Sequence, residues 1–374
     1  MVSSQPKKFR VLVVEDSTFM RRVLETIFNS DDQLQVVGHA TDGREAIALS
    51  ESLKPDVITM DLNMPHMDGL QATAHIMTTN PRPIVVVSSE TREGAAKTLK
   101  ALELGAIEFV TKPSGGVDLD LQSAKEELIR KVRMAAKVRV VRTASRMVTA
   151  VQGAGTAAPV QRVPLPQPTP IVPAELRFPV VVLAASTGGP ATVMRMAPGF
   201  TRDFPAAVFL VQHMPAAFTT QYALQLAEFT GVRVKEAEAG EPVQPGTLYI
   251  CPGGQHLRVT PTGRIQLDST TGRIEGYLPN IDVTMESIAA YAGAMSIAVV
   301  LTGMGCDGAR GARAIKSAGG LVLAQDEATS VIFGMPAEAI RAGVVDQVLG
   351  IDDIYPAIEK RVLGLSRLTP VGAR

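Results

Sequence analysis

The sequence predicts an α/β protein of two doubly wound domains, the second mostly parallel with one antiparallel hairpin. Three observations predict it. Short β-branched runs alternate with segments of helical spacing through both halves of the chain. Many of those runs stop in an acid, a serine or a glycine turn, where strands of an open parallel sheet carry their functional groups. At 374 residues the chain is also too long for one ordinary core, so two domains are expected.

The elements follow in order. "RVLVVED" is a strand run ending in acids, and "STFMRRVLETIFNS" follows with helical spacing and a Ser or Thr placed to cap it. "LQVVGHA", "PDVITMDLNMP", "PIVVVSS" and "EFVTKP" supply further strands. "GREAIALSESL", "DGLQATAHIMTT" and "GAAKTLKALELG" supply the helices between them. Five β-α repeats with short connections argue for a doubly wound parallel sheet. A last helix, roughly "LDLQSAKEELIRKVRMAAKVRV", closes a first domain expected over residues 1–135.

Composition then shifts. "TASRMVTAVQGAGTAAPVQRVPLPQPTPIVPAEL" is rich in Pro, Ala, Thr and Gly, which predicts a semi-extended linker over residues 136–175. A second domain, residues 176–368, resumes with "FPVVVLAAS" and continues through "AAVFLVQHM", "VRVKEAE", "TLYICPG", "SIAVVLTGM", "GGLVLAQD" and "VVDQVLG". A Pro-Thr-Gly turn inside "HLRVTPTGRIQLD" predicts an antiparallel hairpin inserted in the mostly parallel sheet.

The totals narrow the function. Lys plus Arg equals Asp plus Glu, 37 each, so no global field favours nucleic acid. The two cysteines, Cys251 and Cys306, lack metal-ligand spacing and read as reduced thiols. The N-terminus has no signal-peptide core and no apolar run approaches a membrane span, so a soluble, cytoplasmic protein without membrane insertion is expected.

Two sets of strand ends carry chemistry. In the first domain Glu15 and Asp16 end the first strand, Asp61 the third, Ser88 the fourth and Lys112 the fifth. On one rim, three carboxylates repel unless a divalent cation is bound, and hard oxygen ligands suit Mg²⁺. An aspartate beside that metal can attack a phosphoryl group while a lysine and a hydroxyl neutralise its oxygens. Any one of these acids alone would more simply be a helix cap or a solvated turn.

The pieces "VVEDS", "MDLNMPHMDGL", "VVVSSE" and "FVTKP" resemble, in order and spacing, the receiver domain of two-component response regulators, with its flavodoxin-like sheet. The resemblance implies that Asp61 accepts a phosphoryl group from a chemotaxis histidine kinase. It implies that Glu15, Asp16, Asp61 and the backbone carbonyl of Asn63 hold Mg²⁺. Ser88 and Lys112 would contact the phosphoryl group, and Phe109 would be the aromatic switch.

In the second domain "VVVLAASTGGPATVMRM" is a strand, a sharp turn and a helix, with Ser186 at the turn and Pro190 at the helix start. His213 ends "AAVFLVQHM", and Asp307 sits in the glycine cluster of "AVVLTGMGCDGARG". Each has a plain alternative: Ser186 as a helix cap, His213 as a satisfied polar residue. Three such residues at strand-like ends of one α/β domain argue instead for a relay in which Ser gives its proton to an imidazole oriented by a carboxylate. A peptide N–H from Met304 would then serve the oxyanion. The order Ser…His…Asp and the absence of G-x-S-x-G exclude the common α/β-hydrolase motif.

"AASTGGP", "VQHMP", "GTLYICPGGQH", "LTGMGCDGA" and "AQDEATSVIFGMP" resemble the catalytic domain of chemoreceptor methylesterases, the CheB family of protein-glutamate methylesterases and glutamine deamidases. The resemblance implies catalysis by Ser186, His213 and Asp307, with Thr187 and Met304 beside the reaction centre and no cofactor for the esterase step. It implies methyl-accepting chemoreceptors as substrates, and a receiver that packs across the cleft until Asp61 is phosphorylated. Two departures stand out: Tyr277-Leu278 where many relatives carry His-Arg, and Asn63 where many receivers of this kind carry Glu. Two other functions stay open here: a receiver-controlled hydrolase of a different ester or amide, and a non-enzymatic phospho-dependent adaptor.

Overall fold

The computed structural model describes residues 8–88, 91–112, 118–138 and 178–367. The expected linker lies outside the described residues from 139 onward, as does the end of the second domain beyond 367.

In the first domain β1 (Phe9–Val14), β2 (Leu34–Ala40), β3 (Val57–Asp61), β4 (Ile84–Ser88) and β5 (Glu108–Thr111) form a parallel sheet in the order β2-β1-β3-β4-β5. Helices α1 (Thr18–Asn29), α2 (Gly43–Leu53), α3 (Gly69–Thr79), α4 (Arg92–Glu103) and α5 (Asp118–Ala135) cover its two faces. The period of two in β1 assigns those faces: Val11 and Val13 pack with Leu24 and Phe28 of α1 and Leu128 and Val132 of α5. Leu12 and Val14 point the other way, into a cluster with Ala46 of α2, Ile76 of α3 and Leu99 of α4. The caps follow the sequence: Ser17, Asp42, Asp68 and Thr91 each accept a first-turn amide of their helix.

The second domain contains β6 (Val180–Ala185), α6 (Gly189–Met196), β7 (Ala207–Gln212), α7 (Ala216–Ala227), β8 (Arg233–Glu236), β9 (Thr247–Ile250), β10 (His256–Val259) and β11 (Ile265–Asp268). It continues with α8 (Ile281–Ala292), β12 (Ser296–Val300), α9 (Ala309–Ser317), β13 (Leu321–Gln325), α10 (Met335–Arg341), β14 (Gln347–Leu349) and α11 (Ile351–Ser366). Seven strands make one parallel sheet, β14-β13-β12-β6-β7-β9-β8. The strand order reverses between β6 and β12, which opens the crevice where such sheets place ligands.

The hairpin β10–β11 is antiparallel as expected, but it stands as a separate two-stranded sheet rather than inside the large one. On its β10 edge α8 supplies partners: Val259 N donates to Ser287 Oγ at 3.0 Å, and Thr284 Oγ1 donates to Leu257 O at 2.9 Å. On its β11 edge Ile265 N donates to Glu241 O at 2.9 Å and Ile265 O accepts from Gly240 N at 2.7 Å. Edges whose backbone groups are paired in this way are not free to join the large sheet at those positions.

The domains touch on the face of β5, α4 and α5. The Phe109 ring stacks on Phe218 of α7, and Gln225 Nε2 of α7 donates to Glu103 Oε2 of α4 at 3.1 Å. Val331, between β13 and α10, packs against the α1–α5 cluster of the first domain. Among the described residues no helix is long and apolar enough to cross a membrane.

Candidate functional site

Three adjacent strands, β12, β6 and β7, bring the second set of residues together. Ser186 follows β6, His213 follows β7, and Asp307 lies in the loop between β12 and α9. Ser186 Oγ is 3.1 Å from His213 Nδ1, and His213 Nε2 is 2.8 Å from Asp307 Oδ2. Because a carboxylate only accepts, Nε2 carries the proton and Nδ1 is left to accept from the Ser186 hydroxyl. The ring is thus used the other way round from the template in which Nε2 faces the serine.

The turn at Ser186 is built for exposure of its oxygen. Gly188, with φ of 75°, is the N-cap of α6 and offers no side-chain cap, so Ser186 is not the helix cap that its position would more simply suggest. A Cβ at Gly188 would also lie 2.6 Å from Val331 Cβ, so this turn requires glycine twice over. Ser186 N donates to Thr302 O at 3.1 Å, Gln212 Nε2 donates to Ser186 O at 2.9 Å, and Thr302 Oγ1 donates to Thr187 O at 3.0 Å, which fixes the peptide before the nucleophile position and the two after it.

Asp307 is fully buried and fully used. Its Oδ2 accepts from Ile281 N at 2.8 Å and its Oδ1 from Asp282 N at 3.0 Å, so the start of α8 stabilises its charge. The Tyr277 ring stacks on the His213 ring with centroids 4.4 Å apart and planes 14° apart, closing one face of the imidazole. Burial pushes the Tyr277 phenol above its ordinary range. Met304 is half-buried, and its Sδ accepts from Arg130 Nη1 of α5 at 3.4 Å. Desolvation, then the charges of Glu275 and Asp282, hold the Cys306 thiol above its ordinary value, which disfavours a thiolate beside Asp307.

The first set converges on the rim of the smaller sheet. Ligand atoms of Glu15, Asp16 and Asp61 all lie within 4.8 Å of one another. Lys112 Nζ stands 2.8 Å from Asp61 Oδ2 and 2.8 Å from Glu15 Oε2. Burial, then the charge of Asp61, holds the Glu15 carboxyl above its ordinary range despite Lys112. Burial alone would pull Lys112 down, but its bonds to Asp61 and Glu15 outweigh that and raise it. Two buried carboxylates that share one ammonium, with the exposed Asp16 carboxylate beside them, are a set of hard oxygen donors that fits a divalent cation.

The remaining residues of this set are near the rim in different ways. Ser88 Oγ donates to Gly94 O at 3.3 Å, toward the start of α4. Asn63 N donates to Asp61 Oδ1 at 3.3 Å, while Asn63 Oδ1 accepts from Lys97 Nζ at 2.7 Å. Phe109 is buried, its ring facing Phe218 and its carbonyl accepting from Lys131 Nζ at 2.9 Å.

Several contributors escaped the sequence reading. Phe218 and Arg130 carry no local signal, because their partners are in the other domain. Asp282 was legible only as an acid in the first turn of a helix after Asn280. The pairing of Asn280 with Val283 N at 3.0 Å is an ordinary cap, so the sequence hides that Asp282 turns to a different helix.

Fold and site define a class: a receiver-type sheet with an acidic rim joined to an α/β domain in which a serine, a histidine and an aspartate are in hydrogen-bond contact. The family model described as CheB methylesterase matches residues 181–358, and that described as response regulator receiver domain matches residues 11–122. The chain is similar to a protein-glutamate methylesterase/protein-glutamine glutaminase of Pyrococcus horikoshii, 42% identical over 359 residues, covering 95% of this chain and 94% of that protein. A protein of the same name from Halalkalibacterium halodurans is 40% identical over 357 residues, covering 95% and 98%. Among solved structures, the CheB methylesterase catalytic domain of Thermotoga maritima is 39% identical, with a TM-score of 0.48, covering 50% of this chain and 99% of that one. The chain belongs to the CheB family of protein-glutamate methylesterases/protein-glutamine glutaminases.

Proposed function

We propose that the protein is a phosphorylation-activated serine hydrolase that removes methyl esters from glutamate side chains of chemoreceptors and converts specific receptor glutamines to glutamate. The observation that carries this reading is the contact chain from Ser186 Oγ through His213 to Asp307, at 3.1 and 2.8 Å.

In the proposed reaction Ser186 Oγ attacks the ester carbonyl carbon as its proton passes to His213 Nδ1. Asp307 holds the resulting imidazolium through Nε2–H. The tetrahedral adduct collapses, His213 returns the proton to the departing methoxy oxygen, and methanol leaves a glutamyl-serine ester. Water, deprotonated by His213, clears that ester and restores Ser186. Glutamine follows the same path with ammonia as leaving group. Thr187 and Met304 flank the carbon under attack, and a Met304 N–H on the oxyanion would be worth roughly 3 kcal/mol.

Asp61 is the proposed phospho-acceptor, with a chemotaxis histidine kinase as donor. Glu15, Asp16, Asp61 and the Asn63 carbonyl would hold Mg²⁺, which supplies charge neutralisation at the phosphoryl oxygens. Lys112 and Ser88 would pair with the phosphoryl group and Phe109 would respond to it. Lys112 directly follows β5, the strand that carries Phe109, and the Phe109 ring rests on Phe218 five residues beyond His213. Arg130 reaches the Met304 side chain from the same receiver face. These contacts support a receiver that restrains the catalytic rim until Asp61 is modified. Domain limits of 1–135 and 176–368 and a cytoplasmic location belong to the same reading.

The test is methanol release from methylated receptor, with and without a small-molecule phosphodonor. Wild type should release methanol faster with the donor, Asp61→Asn should ignore it, and Ser186→Ala should release none. Release by Ser186→Ala equal to wild type would refute the reading.

A further inference from the structure

We infer that Asp282 is a positioning residue for the relay: its carboxylate fixes the peptide that follows Asp307, and with it the aim of Asp307 at His213. This rests on the Ser186–His213–Asp307 reading above and adds a residue to it.

The two acids are cross-wired between two helices. Asp307 precedes α9 but accepts the first two amides of α8, Ile281 N and Asp282 N. Asp282 lies in the first turn of α8 but accepts two amides at the start of α9, Gly308 N at 2.9 Å and Gly311 N at 2.6 Å, both on Oδ1. Each side chain therefore caps the other's helix.

The need for this arises from the sequence of α9. Its N-cap is Gly308, with φ of 96°, which has no side chain to give its own helix. The opening amides of a helix need an acceptor, and Asp282 serves two of them. Gly308 N belongs to the peptide bond leaving Asp307, so holding it sets the backbone angle from which the Asp307 carboxylate projects. Helices α8 and α9 must be close for this. A Cβ on Gly311 would fall 2.4 Å from Met285 Cβ and 3.1 Å from Asp282 Cα, so glycine permits the approach.

Asp282 works as an acceptor rather than as a charge. Both short bonds come from backbone N–H groups to one oxygen, which the amide oxygen of asparagine would receive equally well. Among the described residues the other oxygen meets only Arg310 Nε at 3.7 Å, and that guanidinium also answers Glu286 at 2.7 Å and Glu275 at 3.1 Å. The side chain is 3% exposed, so little solvent is at hand to replace a lost bond.

The experiment uses the full chain and two readouts: the rate of Ser186 labelling by a fluorophosphonate, and kcat and KM for methyl-ester hydrolysis on methylated receptor. Misaiming a catalytic group costs up to about a hundredfold, so Asp282→Ala should slow labelling and kcat about ten- to a hundredfold with KM nearly unchanged. Asp282→Asn should stay within about threefold of wild type. In an Asp307→Ala background the Asp282→Ala change should cost no more than about twofold, because residues that act through one another are not additive.

Gly311→Ala, which displaces α9 and leaves the carboxylate in place, should lower both rates in the same direction and covers the case where Asp282→Ala does not fold. Equal losses in Asp282→Asn and Asp282→Ala would overturn the proposal. So would an Asp282→Ala loss as large without Asp307 as with it, or unchanged labelling in Asp282→Ala or Gly311→Ala. Labelling does not involve a receptor. A wild-type protein that labels at Ser186 but releases no methanol would refute the substrate reading and leave this one standing.

Discussion

The ring of Phe109 in the receiver lies on the ring of Phe218 in the catalytic domain, with centroids 4.4 Å apart and planes 29° apart. Both residues are buried, and each has a tie to its own domain's site: Phe109 shares β5's edge of the sheet with Lys112, and α7 starts just after His213. A stacked pair is worth about 1 kcal/mol beyond its buried area. Inverting a closed-to-open ratio from 1:99 to 99:1 takes about 5.5 kcal/mol. Phe109→Ala should therefore raise methanol release without phosphodonor by a few-fold and not to the fully activated rate. Unchanged basal release would show that this stack does not restrain the enzyme.

Asp307 has no freedom to adopt another role, since three groups occupy its two oxygens. Asp307→Asn preserves shape but lets the amide present an N–H to His213 or forces the other tautomer. The expected loss is about a thousand- to ten-thousandfold in kcat with KM little changed. Steady-state kinetics on methylated receptor measures it; a loss confined to KM would assign Asp307 to binding instead.

At the acidic rim, Lys112 answers Asp61 and Glu15, and the exposed Asp16 carboxylate completes a cluster that could hold a divalent cation. Removal of Mg²⁺ by a chelator should abolish activation by phosphodonor while leaving basal methanol release intact. Because Glu15 sits above its ordinary range, protons compete for the same oxygens. Mg²⁺ affinity, followed by calorimetry, should fall as pH is lowered. An affinity that does not change with pH would exclude Glu15 from the metal site.

Asp282 gives a stability prediction with a definite sign. Burial, then the nearby Asp307 charge working against bonds from Gly311 and Gly308, pushes its carboxyl up to about 6 from an ordinary 3.8. An acid raised in the folded state keeps a proton that the unfolded chain has lost. Its contribution is thus fully present below the lower value and is lost as pH rises through the upper one. Asp282→Asn removes that loss. The variant's Tm relative to wild type should rise between pH 4 and pH 7, by the equivalent of no more than about 3 kcal/mol. Calorimetric scans at the two pH values decide it, and a constant gap would contradict the assignment.

Much was legible in the residues because local physics writes it there. The five strand runs of the receiver alternate with helices, and Ser17 caps the first of them where a Ser or Thr was expected to. The carboxyl ends of parallel strands share a rim, so Glu15, Asp61 and Lys112 were expected to meet, as were Ser186, His213 and Asp307. The hairpin's turn was readable in Pro-Thr-Gly, but its separation from the main sheet was not, because its edges are bonded by Thr284 and Ser287 of the following helix and by the backbone of Gly240 and Glu241. Likewise "YLPNID" gave no sign that Tyr277 would cover His213 or that Asp282 would cap α9.

The sequence by itself determined the two sheets, the residues at their rims and the chemistry those residue types allow, because periodicity, capping and strand-end placement are short-range properties of the chain. The tertiary structure alone decided which nitrogen of His213 faces the serine, that Asp282 and Asp307 exchange helix caps, and that Phe109 meets Phe218. Those outcomes follow from how separate elements approach each other at distances of a few ångströms, and no local pattern encodes a partner from another helix or another domain.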